Sequence, residues 1–163
     1  NPTKNKQNKI NSSALLMNKS PLTIDGLINF KENGSYSWFL DYELEGFPLT
    51  KTNKLLLKYV PLDFTKGTLD IKGHHTQKDN SRGEIKFYFN NATVLDKTQE
   101  IKNASHLAIE LSSALLNFLL QNSTTKSFAF SLPYHKTKNA LRFDYSNAIW
   151  SSIKNNNTPL PKI

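Results

Sequence analysis

The 163-residue sequence has no cysteine, one methionine and only two arginines, Arg82 and Arg142. Without cysteine there is no disulfide, no thiol nucleophile and no thiolate metal ligand. Because arginine is so scarce, the net charge of +8 comes almost entirely from lysine, whereas proteins that read nucleic acid rely on the bidentate arginine fork. We therefore predict no nucleic-acid partner. The lysines are interpreted as solvated surface or as contacts to anionic lipid headgroups.

Long hydrophobic runs are also missing. The longest nearly unbroken apolar run, residues 114–120, is too short to cross a bilayer, so we predict no transmembrane segment in this chain. The chain begins with Asn1 and shows no signal-peptide pattern, which indicates an excised piece or a processed product. Its length suits one domain or two small neighbouring units and is sufficient to bury a core.

Motifs for catalysis and metal binding are absent as well. There is no Gly-x-Ser-x-Gly elbow and no phosphate-binding glycine loop. His74 and His75 would point to opposite faces of a strand, so they do not predict a shared metal ion. We interpret them as exposed residues of a hairpin. Asp41, Glu43 and Glu45 share one strand face, where they are interpreted as the solvated side of a hairpin rather than as an acid and base pair. We predict a protein that is not an enzyme and that has no cofactor.

Alternating apolar and polar residues recur along the chain and predict β-strands. The segment Glu32–Ser35, with the sequence Glu-Asn-Gly-Ser, predicts a hairpin turn between two such strands. A second hairpin joins residues 67–73 to residues 83–95, and a fifth strand at 127–132 is expected to stop at Pro133. Because each strand has one apolar face, we expect a twisted antiparallel sheet of about five strands.

The period changes to that of a helix over residues 103–121, where polar residues form one narrow stripe. We predict one long helix there, a short helix or turn at 49–60 and a short closing helix at 144–154, with the helices packed on the apolar face of the sheet. The predicted fold class is therefore α+β. Residues 1–20 are interpreted as a linker or edge segment, residues 21–155 as a single module and residues 156–163 as a tail.

The shared apolar face of sheet and helix is the candidate functional surface. Its expected members are Trp38, Leu40, Leu69, Ile71, Ile85, Phe87, Phe89, Leu111, Leu115, Phe118, Phe128 and Phe130. Two interpretations stay open at this point, because the pattern fits a plain sealed core as well as one segment of an open apolar groove.

The order of several short segments carries a resemblance to a known family. These are Ser-Pro-Leu-Thr-Ile-Asp-Gly at 20–26, Gly-Phe-Pro-Leu at 46–49, Lys-Gly-Thr-Leu-Asp-Ile-Lys-Gly at 66–73 and Asp-Tyr-Ser-Asn-Ala-Ile-Trp at 144–150. Over residues 20–155 the chain resembles the C-terminal region of the AsmA-like family of bacterial envelope proteins, the group related to TamB. That resemblance implies a periplasmic location as part of an inner-membrane-anchored protein, whose sheet curls into an apolar trough for phospholipid.

The resemblance implies a noncatalytic module that contributes to or caps an apolar β-groove for phospholipid transport and outer-membrane biogenesis. Expected partners are phospholipid and other envelope proteins, and the family offers no catalytic residues to carry over. The alternative is a secreted or surface protein-binding module with a sealed core, which would recognise its partner through loops such as residues 73–82.

Overall fold

The structure, a computed structural model, describes residues 6–56, 62–78, 80–96, 127–137 and 140–144. These residues form a seven-stranded antiparallel sheet in which the strands follow one another in chain order. The strands are β1 Lys6–Leu16, β2 Ser20–Phe30, β3 Tyr36–Pro48, β4 Leu62–Gln77, β5 Ser81–Asp96, β6 Phe128–Lys136 and β7 Leu141–Phe143. Between β3 and β4 lie a 3₁₀ turn, Leu49–Lys51, and a one-turn helix, α1, Asn53–Leu56.

The predicted α+β class with about five strands is wrong. The described residues are almost entirely antiparallel sheet, and their only helical segments are the 3₁₀ turn and α1. The long helix predicted at 103–121 lies outside the described residues, as does nearly all of the closing helix predicted at 144–154. Of the short helix or turn expected at 49–60, the described part consists of the 3₁₀ turn and α1.

Three strands differ from the sequence expectation for physical reasons. Almost all side chains of β1 are exposed, so this strand shows no alternation of apolar and polar residues, although it pairs with β2 from Lys6↔Phe30 to Leu16↔Ser20. β6 continues through Pro133, whose carbonyl accepts a 2.9 Å hydrogen bond from the Asp144 N–H; proline lacks only the donor. β7 has three residues, too few to produce a pattern.

The predicted hairpin between β2 and β3 is confirmed. The two strands pair from Leu22↔Leu44 to Phe30↔Tyr36. In the turn, the Lys31 N–H donates to the Ser35 carbonyl at 2.8 Å, and the Asn33 side chain accepts the Ser35 N–H at 3.0 Å. Gly34 has a φ of 76°, which is the left-handed conformation that the Asn-Gly pair predicts.

The chain divides into two compact units. The described residues of unit 1 lie within 1–45, 71–87 and 129–163, and those of unit 2 within 46–70 and 88–128. Unit 2 has a sealed core whose exposed fractions run from 0% to 9% and whose members are Leu49, Phe64, Leu69, Phe89 and Ala92. Within it, the rings of Phe64 and Phe89 stack with centroids 5.9 Å apart.

A side-chain amide fixes the start of α1 to β4 inside unit 2. The Phe64 N–H donates to Asn53 Oδ1 at 2.9 Å, and Asn53 Nδ2 donates to the Phe64 carbonyl at 2.8 Å. The Asn53 amide therefore supplies the donor and the acceptor that a neighbouring strand would supply. Nearby, Gly67 has a φ of 117°, and a Cβ there would lie 2.9 Å from a methyl group of Leu49.

Candidate functional site

One face of the unit 1 sheet is apolar across β2 and β3. The register places Ile24 opposite Tyr42 and Ile28 opposite Trp38, while the intervening pair, Asp25 and Asp41, lies on the other face. We call the first surface the aromatic face. It is built by Trp38, Leu40 and Tyr42 of β3, Ile71 and His75 of β4, Ile85 and Phe87 of β5, and Phe130 and Tyr134 of β6.

A row of ring contacts crosses the aromatic face from β3 to β6 and continues to Phe143 on β7. Trp38 and His75 lie parallel, with ring centroids 4.5 Å apart and planes 10° from each other. Tyr134 packs against His75 at 5.3 Å and against Phe143 at 5.8 Å. Further along β5 and β6, Phe87 and Phe130 stack at 4.7 Å. Stacked and tilted ring pairs of this kind stabilise a sheet beyond the area that they bury.

Several polar atoms of these aromatic residues have partners within the face. The Trp38 indole N–H donates to Gln77 Oε1 at 2.9 Å, and the Ser81 hydroxyl donates to the same oxygen at 3.4 Å. The Tyr134 hydroxyl hydrogen-bonds to Nδ1 of His75. A ligand that covered this surface would leave these hydrogen bonds in place.

Two glycines make room for the tyrosine rings. Tyr42 lies over Gly73, and a Cβ on Gly73 would overlap that ring. Tyr134 lies over Gly83 in the same way, with Cζ and the hydroxyl oxygen each 2.5 Å from the position of an added Cβ. An aromatic ring that packs over a cross-strand glycine covers backbone that would otherwise be exposed.

Burial shifts the titration of three groups on the aromatic face. Partial burial raises the pKa of Tyr42. Partial burial, and to a smaller extent the neighbouring Tyr42, raise the pKa of Tyr134. Burial first, and then the positive charges of His74 and Lys136, lower the pKa of His75. All three shifts favour the neutral forms, so the face is an uncharged surface at neutral pH.

On the opposite face of unit 1, β3 and β4 carry charged side chains that form ion pairs. His74 pairs with Asp41 and Lys72 pairs with Glu43, the latter at 2.6 Å. His74 and His75 therefore lie on opposite faces, as predicted. Asp41 is about half exposed, and its partner is a base on β4 rather than a second carboxylate. No group of three potential metal ligands exists among the residues that the structure describes.

The structure divides the predicted surface residues between the two units. Half-buried positions on the aromatic face of unit 1 are occupied by Trp38, Leu40, Ile71, Ile85, Phe87 and Phe130. Leu69 and Phe89 belong instead to the sealed core of unit 2. Phe128 begins β6, and Leu111, Leu115 and Phe118 lie outside the described residues.

Sequence reasoning missed the role of His75, Tyr134 and the two glycines. A signal was present, because Gly73 and His75 continue the alternation of Leu69 and Ile71 along β4. The prediction ended the strand at Gly73 and placed the histidines in an exposed hairpin. In the structure β4 continues to Gln77, which brings His75 into the ring stack.

Comparisons with known proteins identify no relative. No family model, no curated protein and no solved structure matches the chain. Within the part of the chain that the structure describes, no helix has the length and apolar character needed to cross a membrane. The function must therefore be inferred from the geometry of the two faces.

Proposed function

We propose that the chain is a noncatalytic module whose aromatic face accommodates the acyl chains of phospholipid. The supporting observation is the contrast in burial between the two units. In unit 2, Leu69 and Phe89 are only 7% and 9% exposed, whereas the aromatic face of unit 1 is half-buried over four strands. Apolar surface that keeps contact with water gains free energy when an apolar ligand covers it.

The internal hydrogen bonds of the aromatic face suit an acyl chain. A buried donor or acceptor that loses its water without a replacement costs about 1–3 kcal/mol. Here the Trp38 N–H bonds to Gln77, and Nδ1 of His75 bonds to the Tyr134 hydroxyl, so covering these atoms with a hydrocarbon chain breaks no bond to water and this cost is reduced. Its contact would be worth roughly 25 cal/mol per Å² of apolar surface covered, with little dependence on chain identity.

The wider setting of this proposal comes from the AsmA-like resemblance. On that basis the module contributes to or caps a groove for phospholipid transport in outer-membrane biogenesis. It works in the periplasm as part of an inner-membrane-anchored protein, beside other envelope proteins. No catalytic step, cofactor or nucleic acid is part of this proposal.

A protein-binding module with a sealed core is the second candidate. The core of unit 2 favours it, because Leu49, Phe64 and Ala92 are fully or almost fully buried. If the aromatic face were only the less well-covered edge of such a core, the chain would recognise a partner through its exposed turns.

Native mass spectrometry of the purified chain, with lipid extraction, separates these candidates. The variants Phe87→Asp and Phe130→Asp place a charge on the aromatic face. Lys86→Asp is the matched control, because Lys86 is an exposed residue of β5, the strand of Phe87, and its ion pair with Glu84 is a weak surface contact. We expect phospholipid to copurify with the wild type and with Lys86→Asp.

The two face variants are expected to remain folded by circular dichroism and to lose the lipid. A lipid-free mass for the wild type, together with unfolding of both face variants, would refute lipid accommodation and favour the sealed binding module. Equal lipid retention in all four proteins would also exclude the aromatic face as the site.

A further inference from the structure

Three turns and one strand start lie at the same end of unit 1. In an antiparallel sheet whose strands follow chain order, alternate turns fall at the same end, so the β2–β3, β4–β5 and β6–β7 turns lie together with the first residue of β1. Six exposed basic side chains occupy this end, which we call the basic end: Lys6, Lys31, Lys78, Arg82, Lys136 and Arg142.

The charge of the basic end is not neutralised locally. The only acidic residue among the described residues of the three turns is Glu32, and the sequence adds Asp79. The ion pairs within the described part of the chain are formed by Lys72, His74 and Lys86, none of which belongs to the basic end. This end therefore presents a local excess of positive charge to solvent.

Exposed apolar side chains lie among these bases. Phe30 is 41% exposed, Tyr36 is 51% exposed and Leu141 is 53% exposed. Phe30 and Tyr36 flank the β2–β3 turn, and their rings are in contact with centroids 6.4 Å apart. Aromatic side chains beside lysines are typical of segments that insert at the level of lipid headgroups.

We propose that the basic end of unit 1 docks onto an anionic lipid surface. Lys31, Lys78 and Lys136 would contact the headgroups, and Phe30, Tyr36 and Leu141 would enter the interfacial layer. Four of the six bases are lysines, which favours headgroups over nucleic acid, because a lysine ammonium is a point charge without the planar fork that reads bases. This docking goes beyond the proposed function and does not depend on it, since it uses the exposed bases with Phe30, Tyr36 and Leu141, and none of these belongs to the residues that define the aromatic face.

Vesicle cosedimentation tests the docking. The vesicles are phosphatidylcholine alone, or phosphatidylcholine with about 30% phosphatidylglycerol, at low ionic strength and at about 0.5 M NaCl. The test variant is Lys31→Gln, Lys78→Gln and Lys136→Gln combined. Its control, with the same net charge, is Lys19→Gln, Lys51→Gln and Lys54→Gln, which changes exposed lysines of the β1–β2 turn and the β3–β4 connection.

We expect the wild type and the control to bind the anionic vesicles at low salt, and to bind neutral vesicles or high-salt samples weakly. The test variant is expected to bind the anionic vesicles about 100-fold more weakly, because each lysine near the surface contributes separately. A second variant, Phe30→Ser with Tyr36→Ser, is expected to weaken binding and to keep its salt dependence.

Three results would overturn the proposal. They are equal binding to neutral and anionic vesicles, an equal loss in the test variant and the control, and binding to duplex DNA without binding to either vesicle. The last result would assign the basic end to nucleic acid. Circular dichroism of each variant ensures that lost binding is not lost folding.

Discussion

The substitution Gly83→Ala tests whether the aromatic face depends on glycine for its packing. The Tyr134 ring lies over Gly83, and an added Cβ would sit 2.5 Å from the ring carbon Cζ and from the hydroxyl oxygen. Both distances are shorter than any van der Waals contact, so the ring must move. When it moves, the hydrogen bond from Tyr134 to His75 and the packing against Phe143 are lost or weakened.

The magnitude follows from three contributions. Overpacking in a close-packed region costs about 1–3 kcal/mol. The lost hydrogen bond of a half-buried pair adds about 1 kcal/mol. Alanine restricts the unfolded chain more than glycine does, which offsets the cost by about 0.4–1 kcal/mol. We therefore expect Gly83→Ala to lower the free energy of unfolding by about 2 kcal/mol.

A double-mutant cycle with Tyr134→Ala, measured by urea denaturation, isolates the ring as the cause. The three atoms nearest the added methyl group all belong to the Tyr134 side chain, so without that ring Gly83→Ala should be neutral or stabilising by up to about 1 kcal/mol. The coupling free energy between the two sites should then be about 2–3 kcal/mol.

A neutral effect of Gly83→Ala in the wild-type background would refute the predicted clash with the Tyr134 ring. The same loss of stability in both backgrounds would refute it equally, because a loss that survives removal of the ring has another origin.

The other predictions concern the core, α1 and the pH response. Leu49→Ala should lower the free energy of unfolding by about 2–5 kcal/mol because its side chain is fully buried, whereas Leu15→Ala, at 64% exposure, should change it by less than about 0.5 kcal/mol in the same urea titration. Asn53→Ala should lower the free energy of unfolding by about 1–3 kcal/mol because the Phe64 N–H and carbonyl both lose a partner. Asn8→Ala, at an exposed position, serves as control, and an equal effect of both substitutions would argue against a stabilising role of the Asn53–Phe64 hydrogen bonds. Because burial lowers the pKa of His75 below its ordinary value of 6.5, the unfolded chain takes up the proton first as the pH falls. The stability that neutral His75 contributes is therefore present above about pH 6.5 and lost below it. His75→Phe keeps an aromatic ring but removes the titrating group, so it should reduce the fall in melting temperature as the pH drops below about 6.5. Thermal melts at a series of pH values test this, and an unchanged pH dependence would exclude His75 as its source.

The sequence predicted the strands in which apolar and polar residues alternate on two clearly different faces. Tyr36 to Leu44 is the best case, since its alternation and the Asn-Gly turn before it agree with the observed pairing to β2. β1 was not predicted as a strand, because an edge strand with both faces in water needs no alternation of apolar and polar residues. Pro133 was taken as a strand end, although proline removes a donor and leaves the carbonyl available, as its bond to Asp144 illustrates.

The candidate site was predicted less completely than the strands. Large apolar residues such as Phe87 and Phe130 identify the face by their spacing alone. The division between a sealed and a half-buried part depends instead on which residues pack above each strand, and no local pattern encodes that. His75 illustrates the limit, because a histidine in a polar-looking segment becomes part of an aromatic stack only when a distant Tyr134 lies beside it.

The two faces of β3 and β4 have different roles. On the polar face, Asp41 pairs with His74 and Glu43 pairs with Lys72. The His74–Asp41 pair is exposed and the Lys72–Glu43 pair is partly buried; ion pairs at a protein surface usually contribute less than about 1 kcal/mol each. Their positions nevertheless favour one pairing of the strands, because a slip by one residue would turn every side chain to the opposite face and bring these charges among the rings. Since the polar face helps to fix the register, the aromatic face does not have to be sealed to define the sheet, and a half-buried surface that binds an apolar ligand is compatible with a single folded arrangement.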